Sequence, residues 1–249
     1  MNGWVGIGRS DIGLVRAMNQ DSFVTIDHLG FWAVADGMGG HEGGEVAAQT
    51  AIAASAAHME LAADPLRKLQ CLPADVLTTL IKAAHDAVVG RARLESRLRH
   101  MGTTLVTLLI TPDPSPTAHV AYVGDSRGYL FRDGVLSQLT RDHTMVESYI
   151  RRGVLTPAMA KTHPERHMLT RAVGVAQSAK PDLHSSTLLP SDVLLLCSDG
   201  LTKMLEDADI AAIMARAHGD PIRICDQLIE ESLARGGEDN VTVVVVAQP

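Results

Sequence analysis

Four stretches of this chain join an aspartate to a short apolar run, and that junction constrains the fold more than any other feature. "FWAVADG" ends on Asp36-Gly37, "LLLCSDG" on Asp199-Gly200 and "AYVGDSR" on Asp125. "GGEDNVTVVVV" reverses the order, with Asp239 just ahead of its apolar run. Apolar runs of this length with β-branched content read as buried strands. Packing alone gives no reason for a carboxylate at the mouth of each one. Strand ends on one edge of a sheet can converge in space. Converging carboxylates repel one another and cost desolvation unless positive charge lies between them. The usual solution is a divalent cation. Oxygen donors with no His or Cys among them favour Mg²⁺ or Mn²⁺ over Zn²⁺. The glycines fit the same picture. Gly37 would let its backbone carbonyl approach a metal, and Gly39 and Gly40 could take positive φ in the turn. Any one of these aspartates alone is more readily a helix cap or a turn residue. Recurrence at four strand mouths argues against four independent caps.

The remaining pattern predicts strands at Ser22–Asp27, Phe31–Asp36, Thr103–Thr111, Ala118–Gly124, Arg127–Arg132, Val193–Cys197 and Val241–Ala247. Helical spacing predicts Gly44–Ala63, Pro73–His100, Asp207–Ala217 and Pro221–Ala234. Strands come in hairpin-like runs and helices in separate pairs. The expected class is therefore α+β, with antiparallel sheet between helices, rather than a doubly wound parallel sheet.

The 249 residues are 46% hydrophobic, enough for one sizeable core. A formal net charge of −7 disfavours nucleic acid as the main partner. The basic groups "GRARLESRLRH" and "YIRRG" read as solvated surface. The N-terminus has no apolar stretch of signal-peptide length. Pure apolar runs such as Val243 to Ala247 are far short of the roughly 20 residues of a membrane helix, so no membrane is expected. Cys71, Cys197 and Cys225 form no CxxC pair or zinc pattern. Cys197 and Cys225 read as buried thiols, and a reducing cytoplasm fits best.

Eight motifs, in order, resemble the metal-dependent protein phosphatases, the type 2C serine/threonine phosphatases, in their compact bacterial form. They are "VRAMNQDSF", "VADGMGGHEGGEVAA", "MGTTLV", "AYVGDSRGYLFRDG", "LTRDHT", "LTRAVG", "LLLCSDGLT" and "GGEDNVTVVVV". They span nearly the whole chain, so a single catalytic domain over 1–249 is expected. The resemblance implies a four-layer α/β/β/α sandwich with two central antiparallel sheets flanked by helices. It implies two Mn²⁺ or Mg²⁺ ions at one edge of the sandwich. Asp36 would bridge both, the Gly37 carbonyl would bind one, and Asp199 and Asp239 would hold the other. Asp125 with Asp199 matches a third, weaker metal site. Arg16 matches the arginine that grips the substrate phosphate, and Asp21 an acidic position near the metal waters. A metal-bridging hydroxide would attack phosphoserine or phosphothreonine directly. Phosphorylated proteins would be the substrates, a Ser/Thr kinase the natural counterpart, and the chain a monomer. Residues 141–167 match a mobile flap expected to tune substrate choice.

Animal members carry a histidine after the DG pair, commonly assigned as the general acid. Here that position is Met38, and His41 is the nearest candidate. A nucleotide-binding glycine loop fails because Glu42 stands at the third glycine position and no GK[ST] follows. A zinc site at His163 and His167 is spoiled by Pro164 between them. The alternative from another class is a catalytically weak relative acting as a phosphoprotein-binding module. Retention of all the expected aspartates speaks against it. A relative acting on anti-sigma-factor antagonists would usually need sensor domains for which this chain has no spare length.

Overall fold

Strands that are apolar at every position need cover on both faces. A computed structural model of the chain, describing residues 3–39, 42–112, 115–175 and 179–248, shows how that cover is supplied. Eleven strands and seven α-helices are formed among the described residues. One sheet contains β1 (Val5–Asp11), β11 (Val241–Ala247), β10 (Val193–Cys197), β7 (Arg127–Arg132) and β8 (Val135–Gln138), in that order. The other runs β2 (Asp21–Ile26), β3 (Phe31–Met38), β5 (Leu105–Thr111), β6 (Thr117–Val123) and β9 (Asp182–Thr187), with the short β4 (Gly102–Thr103) on the end of β3. Every pairing is antiparallel.

Side-chain parity explains the layers. In β3, Trp32 and Val34 join Leu194, Leu196, Val244 and Val246 in a core between the sheets. Phe31, Ala33 and Ala35 point the other way, onto α1 (Gly43–Arg67) and α2 (Pro73–Leu94). In β11, Val241, Val243 and Val245 pack outward against α5 (Asp199–Met204), α6 (Asp207–Arg216) and α7 (Pro221–Ala234). The result is the expected four-layer α+β sandwich. Cys197 and Cys225 are buried and unpaired, as read from their surroundings.

Several boundaries differ from the sequence reading. α2 stops at Leu94, and Ser96–Leu98 forms a 3₁₀ turn that buries Leu98. The chain must turn back there so that Gly102 and Thr103 can pair with Met38 and Gly37. The single strand expected over Thr103–Thr111 is broken at Thr104, whose amide turns to the Asp36 carbonyl. β1, β8 and β9 were not predicted, nor were α5 and the short helices α3 (Met145–Arg151) and α4 (Pro157–Ala160). In β1, a Cβ on Gly6 would lie 2.0 Å from the Trp32 ring and one on Gly8 2.1 Å from the Phe23 ring. Two glycines thus make room for aromatics of the facing sheet and erase the alternation that marks a strand. The basic groups on α2 and its exit are surface, with Arg91 and Arg97 paired to Glu95.

Candidate active site

The four aspartates do converge, but from both sheets rather than from one sheet edge. Asp36 lies near the end of β3, and Asp125 lies in the β6–β7 turn, where the chain crosses between sheets. Asp199 opens α5 just after β10, and Asp239 precedes β11. All four line one cleft of about 740 Å³, together with Arg16 and Gly37.

Local hydrogen bonds fix each backbone. The Thr104 amide donates to the Asp36 carbonyl (2.8 Å), the Thr103 hydroxyl donates to the same oxygen (2.9 Å), and the Asp36 amide donates to Thr104 Oγ1 (3.0 Å). Thr104 Oγ1 also pairs with Ser126 Oγ at 2.6 Å, tying β3 to the Asp125 turn. Behind that turn, the Gly124 amide donates to Nδ1 of buried His143 (3.1 Å). Asp21 faces Asp36 across the β2–β3 register and accepts a bond from the Ser198 hydroxyl (2.7 Å). Gly37 is required by close approach: a Cβ there would stand 2.0 Å from the Gly44 carbonyl oxygen. Gly39 does take positive φ, at +120°. Gly40 and His41 lie outside the described residues.

The loop between β1 and β2 carries Arg16. Asn240, beside Asp239, holds it: its Nδ2 donates to the carbonyls of Ile12 (2.8 Å) and Met18 (3.0 Å), and its Oδ1 accepts from the Gln20 amide (2.9 Å). Arg16 lays its guanidinium on Asp239 in a two-point contact, Nε to Oδ1 at 2.8 Å and Nη2 to Oδ2 at 2.9 Å. Lys203, one helical turn beyond Asp199 on α5, bridges Asp199 Oδ2 and Asp239 Oδ2 at 2.7 Å each.

The carboxylates titrate very differently. Burial holds Asp36 well above the usual carboxylate range. Asp21, Asp199 and Asp125 reinforce this by repulsion, and Lys203 offsets part of it. Asp125 is pushed up to about 8 by burial, then by Asp199 and Asp142. Asp21 rises to about 6, burial again leading, with hydrogen bonds from Ser198 and Thr242 pulling the other way. Asp239 goes in the opposite direction. Burial would raise it, but Lys203 and Arg16 together outweigh that and hold it low. Lys203 is in turn raised, as Asp199 and Asp239 overcome its own desolvation.

Among the described residues, no three His, Cys, Asp or Glu side chains close into a ready metal cage. The donor set still fits a hard cation. Asp199 Oδ1 and Asp21 Oδ1 are buried with no hydrogen-bond partner among the described residues, a costly state that a cation or its waters would relieve. Burial keeps Asp36 and Asp125 from ionising readily, and a divalent ion would reverse that. The ammonium and guanidinium on Asp239 supply part of the missing positive charge.

Of the predicted site residues among those described, Arg16, Asp36, Gly37, Asp125, Asp199 and Asp239 line the cleft, and Asp21 lies beside Asp36 without lining it. Met38 lines the cleft, as do His100 and His167. Lys203, Asn240, Thr104 and Ser126 were missed. Of these, only Lys203 left a readable signal, its four-residue spacing from Asp199.

The family model for protein phosphatase 2C matches residues 9–232. The serine/threonine protein phosphatase PstP of Mycobacterium tuberculosis is 40% identical over 240 residues, covering 95% of this chain and 43% of that protein. The chain thus spans less than half the length of that relative. The serine/threonine phosphatase stp of Listeria monocytogenes is 35% identical over 246 residues, covering 96% of this chain and 93% of that one. The fold matches the catalytic domain of PstP solved in complex with two manganese ions. Its TM-score is 0.82, with 35% identity and coverage of 98% of this chain and 97% of that one.

Proposed function

This chain belongs to the protein phosphatase 2C family, and from that premise we propose that it is a metal-dependent protein serine/threonine phosphatase. The observation that carries the reading is the one cleft that four aspartates from two sheets share with Arg16. Asp36 and the Gly37 carbonyl would hold one Mn²⁺ or Mg²⁺ ion, and Asp36, Asp199 and Asp239 the other. Asp125 with Asp199 would hold a third. When bound, such ions supply an acidified water near neutral pH and positive charge toward the phosphoryl oxygens.

The chain's own residues do the rest. Arg16 can donate from its planar fork to two phosphate oxygens, orienting the phosphoryl group and offsetting its charge. Asp21 offers a free buried oxygen to a cleft water. Met38 cannot protonate the departing serine or threonine oxygen, and His41 is our candidate for that step. Residues 1–249 act as one catalytic domain, with 141–167 as a flap. That flap is anchored by Lys161, whose Nζ meets Glu206 at 2.7 Å. Among the described residues no helix is long and apolar enough to cross a membrane. A monomer opposing a Ser/Thr kinase in the cytoplasm completes the reading. The presence of all four aspartates in one cleft disfavours a weak, merely binding relative.

The test is hydrolysis of p-nitrophenyl phosphate and phosphothreonine peptides with Mn²⁺, with Mg²⁺ and in excess EDTA. Turnover should require the metal. Full activity in EDTA would end the metal mechanism.

A further inference from the structure

We propose that Lys203 is a resident counter-ion that competes with divalent metal for Asp199 and Asp239, and so sets how much free metal the site needs before it loads. The inference rests on the reading that those two aspartates take a metal.

The geometry is specific. Four-residue spacing on α5 sets Lys203 on the same helix face as Asp199. Its ammonium meets both carboxylates at 2.7 Å, and its side chain is only 25% exposed. Both oxygens of Asp239 are in use: Oδ1 accepts from Arg16 and from the Asn240 amide, and Oδ2 from Arg16 and Lys203. An ion that binds Asp239 must therefore displace a charged donor already there. Asp199 differs, since its Oδ1 is buried and free while Oδ2 holds Lys203. Arg16 is the more exposed of the two cations, at 51%, and lies toward solvent. Lys203 reaches across between the carboxylates and also tempers the charge on Asp36 and Asp125.

The displaced ammonium has somewhere to go. Lys203 also lines a neighbouring cavity of about 690 Å³, whose wall includes Glu206, Asp207 and Glu238. A four-carbon stem can swing between the two acidic surroundings at little conformational cost. Metal-free, the protein neutralises Asp199 and Asp239 from within. Loaded, it hands the same carboxylates to the metal.

The experiment measures Mn²⁺ affinity by titration calorimetry, and melting in EDTA and in Mn²⁺. It uses the full chain and the variants Lys203→Met, Lys203→Gln, Lys203→Arg and Lys82→Met. Lys82 lies on α2 and pairs with Asp86, so it controls for a bare change in net charge. Lys203→Met and Lys203→Gln should bind Mn²⁺ at least about ten-fold tighter, the size of one lost charged competitor. They should also melt lower in EDTA and gain more from added Mn²⁺. Lys203→Arg and Lys82→Met should bind like the parent. Unchanged or weaker Mn²⁺ binding in both neutral variants overturns the proposal, as does equal tightening in Lys82→Met. If the parent binds Mn²⁺ and the neutral variants bind it no better, the competition alone is refuted. If the parent binds no Mn²⁺, the metal-dependent reading falls and takes the proposal with it.

Discussion

Asp36 and Asp125, and Asp239 in the same cleft, are the same side chain in opposed settings. Asp36 and Asp125 are buried and have no cation in contact among the described residues, so burial and repulsion from neighbouring carboxylates keep them from ionising. Asp239 has an ammonium and a guanidinium on its two oxygens and stays charged. One half of the site stores unfavourable electrostatics. The other has already neutralised it. The difference teaches which half gains most from a metal and which half must give something up to receive one.

Ala substitution should treat both halves alike in catalysis. Asp36→Ala and Asp239→Ala should each lower kcat by about three orders of magnitude or more, because the activated water is lost with its metal. A near-normal kcat for either variant, measured at saturating Mn²⁺, would break that equivalence. Arg16→Ala should raise KM about ten-fold or more through loss of a two-point charged contact. Arg16→Lys should restore it only in part, since a point charge cannot reproduce the fork. Arg16 is half exposed and pairs with Asp239 rather than Asp21, so melting should hardly change. A lower melting temperature with KM unmoved would make Arg16 structural.

Smaller effects should separate the halves. In EDTA, Asp36→Asn removes the cost of holding a buried carboxyl protonated and should raise the melting temperature by about 3 °C. Asp239→Asn takes the anionic partner from Arg16, leaves Lys203 with Asp199 alone, and should lower it by a similar amount. Equal signs would erase the contrast. The pH dependence gives the finest test. Asp125 titrates at 3.8 in an unfolded chain and near 8 in the folded one. Between those values the unfolded state binds fewer protons, so metal-free stability should fall as pH rises. Asp21, raised to about 6, adds to the lower part of that slope. Asp239 is depressed, so its contribution is present above 3.8 and lost only as pH falls below that value. Melting in EDTA from pH 5 to 8 should therefore decline, and Asp125→Asn should flatten the decline. A flat parent curve would refute the picture of the uncompensated half.

The legible parts of the molecule were those where local chemistry and tertiary role coincide. Val193–Cys197 and Val241–Ala247 are strands by composition, and their bounds were read correctly. The aspartates stood out because a carboxylate beside such a run is expensive. β1 was hidden because Gly6 and Gly8 exist to admit Trp32 and Phe23, rings that lie far off in the sequence. β9 is a polar edge strand, half solvated, so no apolar alternation marks it. α2 was read too long because its exit is dictated by pairing with β3 rather than by local propensity. Asn240 was invisible for a similar reason. Its three hydrogen bonds go to a loop more than two hundred positions away, the nearest bond spanning 220.

The β1–β11 pairing runs from Val5 opposite Ala247 to Asp11 opposite Val241, and it sets Arg16 beside Asp239 across 223 positions of sequence. Synthesis proceeds from the N-terminus, and contacts this distant form late and slowly. A nascent chain would already carry Asp36 and Asp125, but no rim to complete their cleft. Only when β11 slots between β1 and β10 does the last carboxylate arrive, bringing with it the anchor for the arginine loop. Under the proposed function, catalytic competence would wait for that pairing. Any partly unfolded form that sheds β11 loses Asp239 and the anchor of the Arg16 loop in one event, so under the proposed function damaged molecules would fall silent rather than act with blurred selectivity.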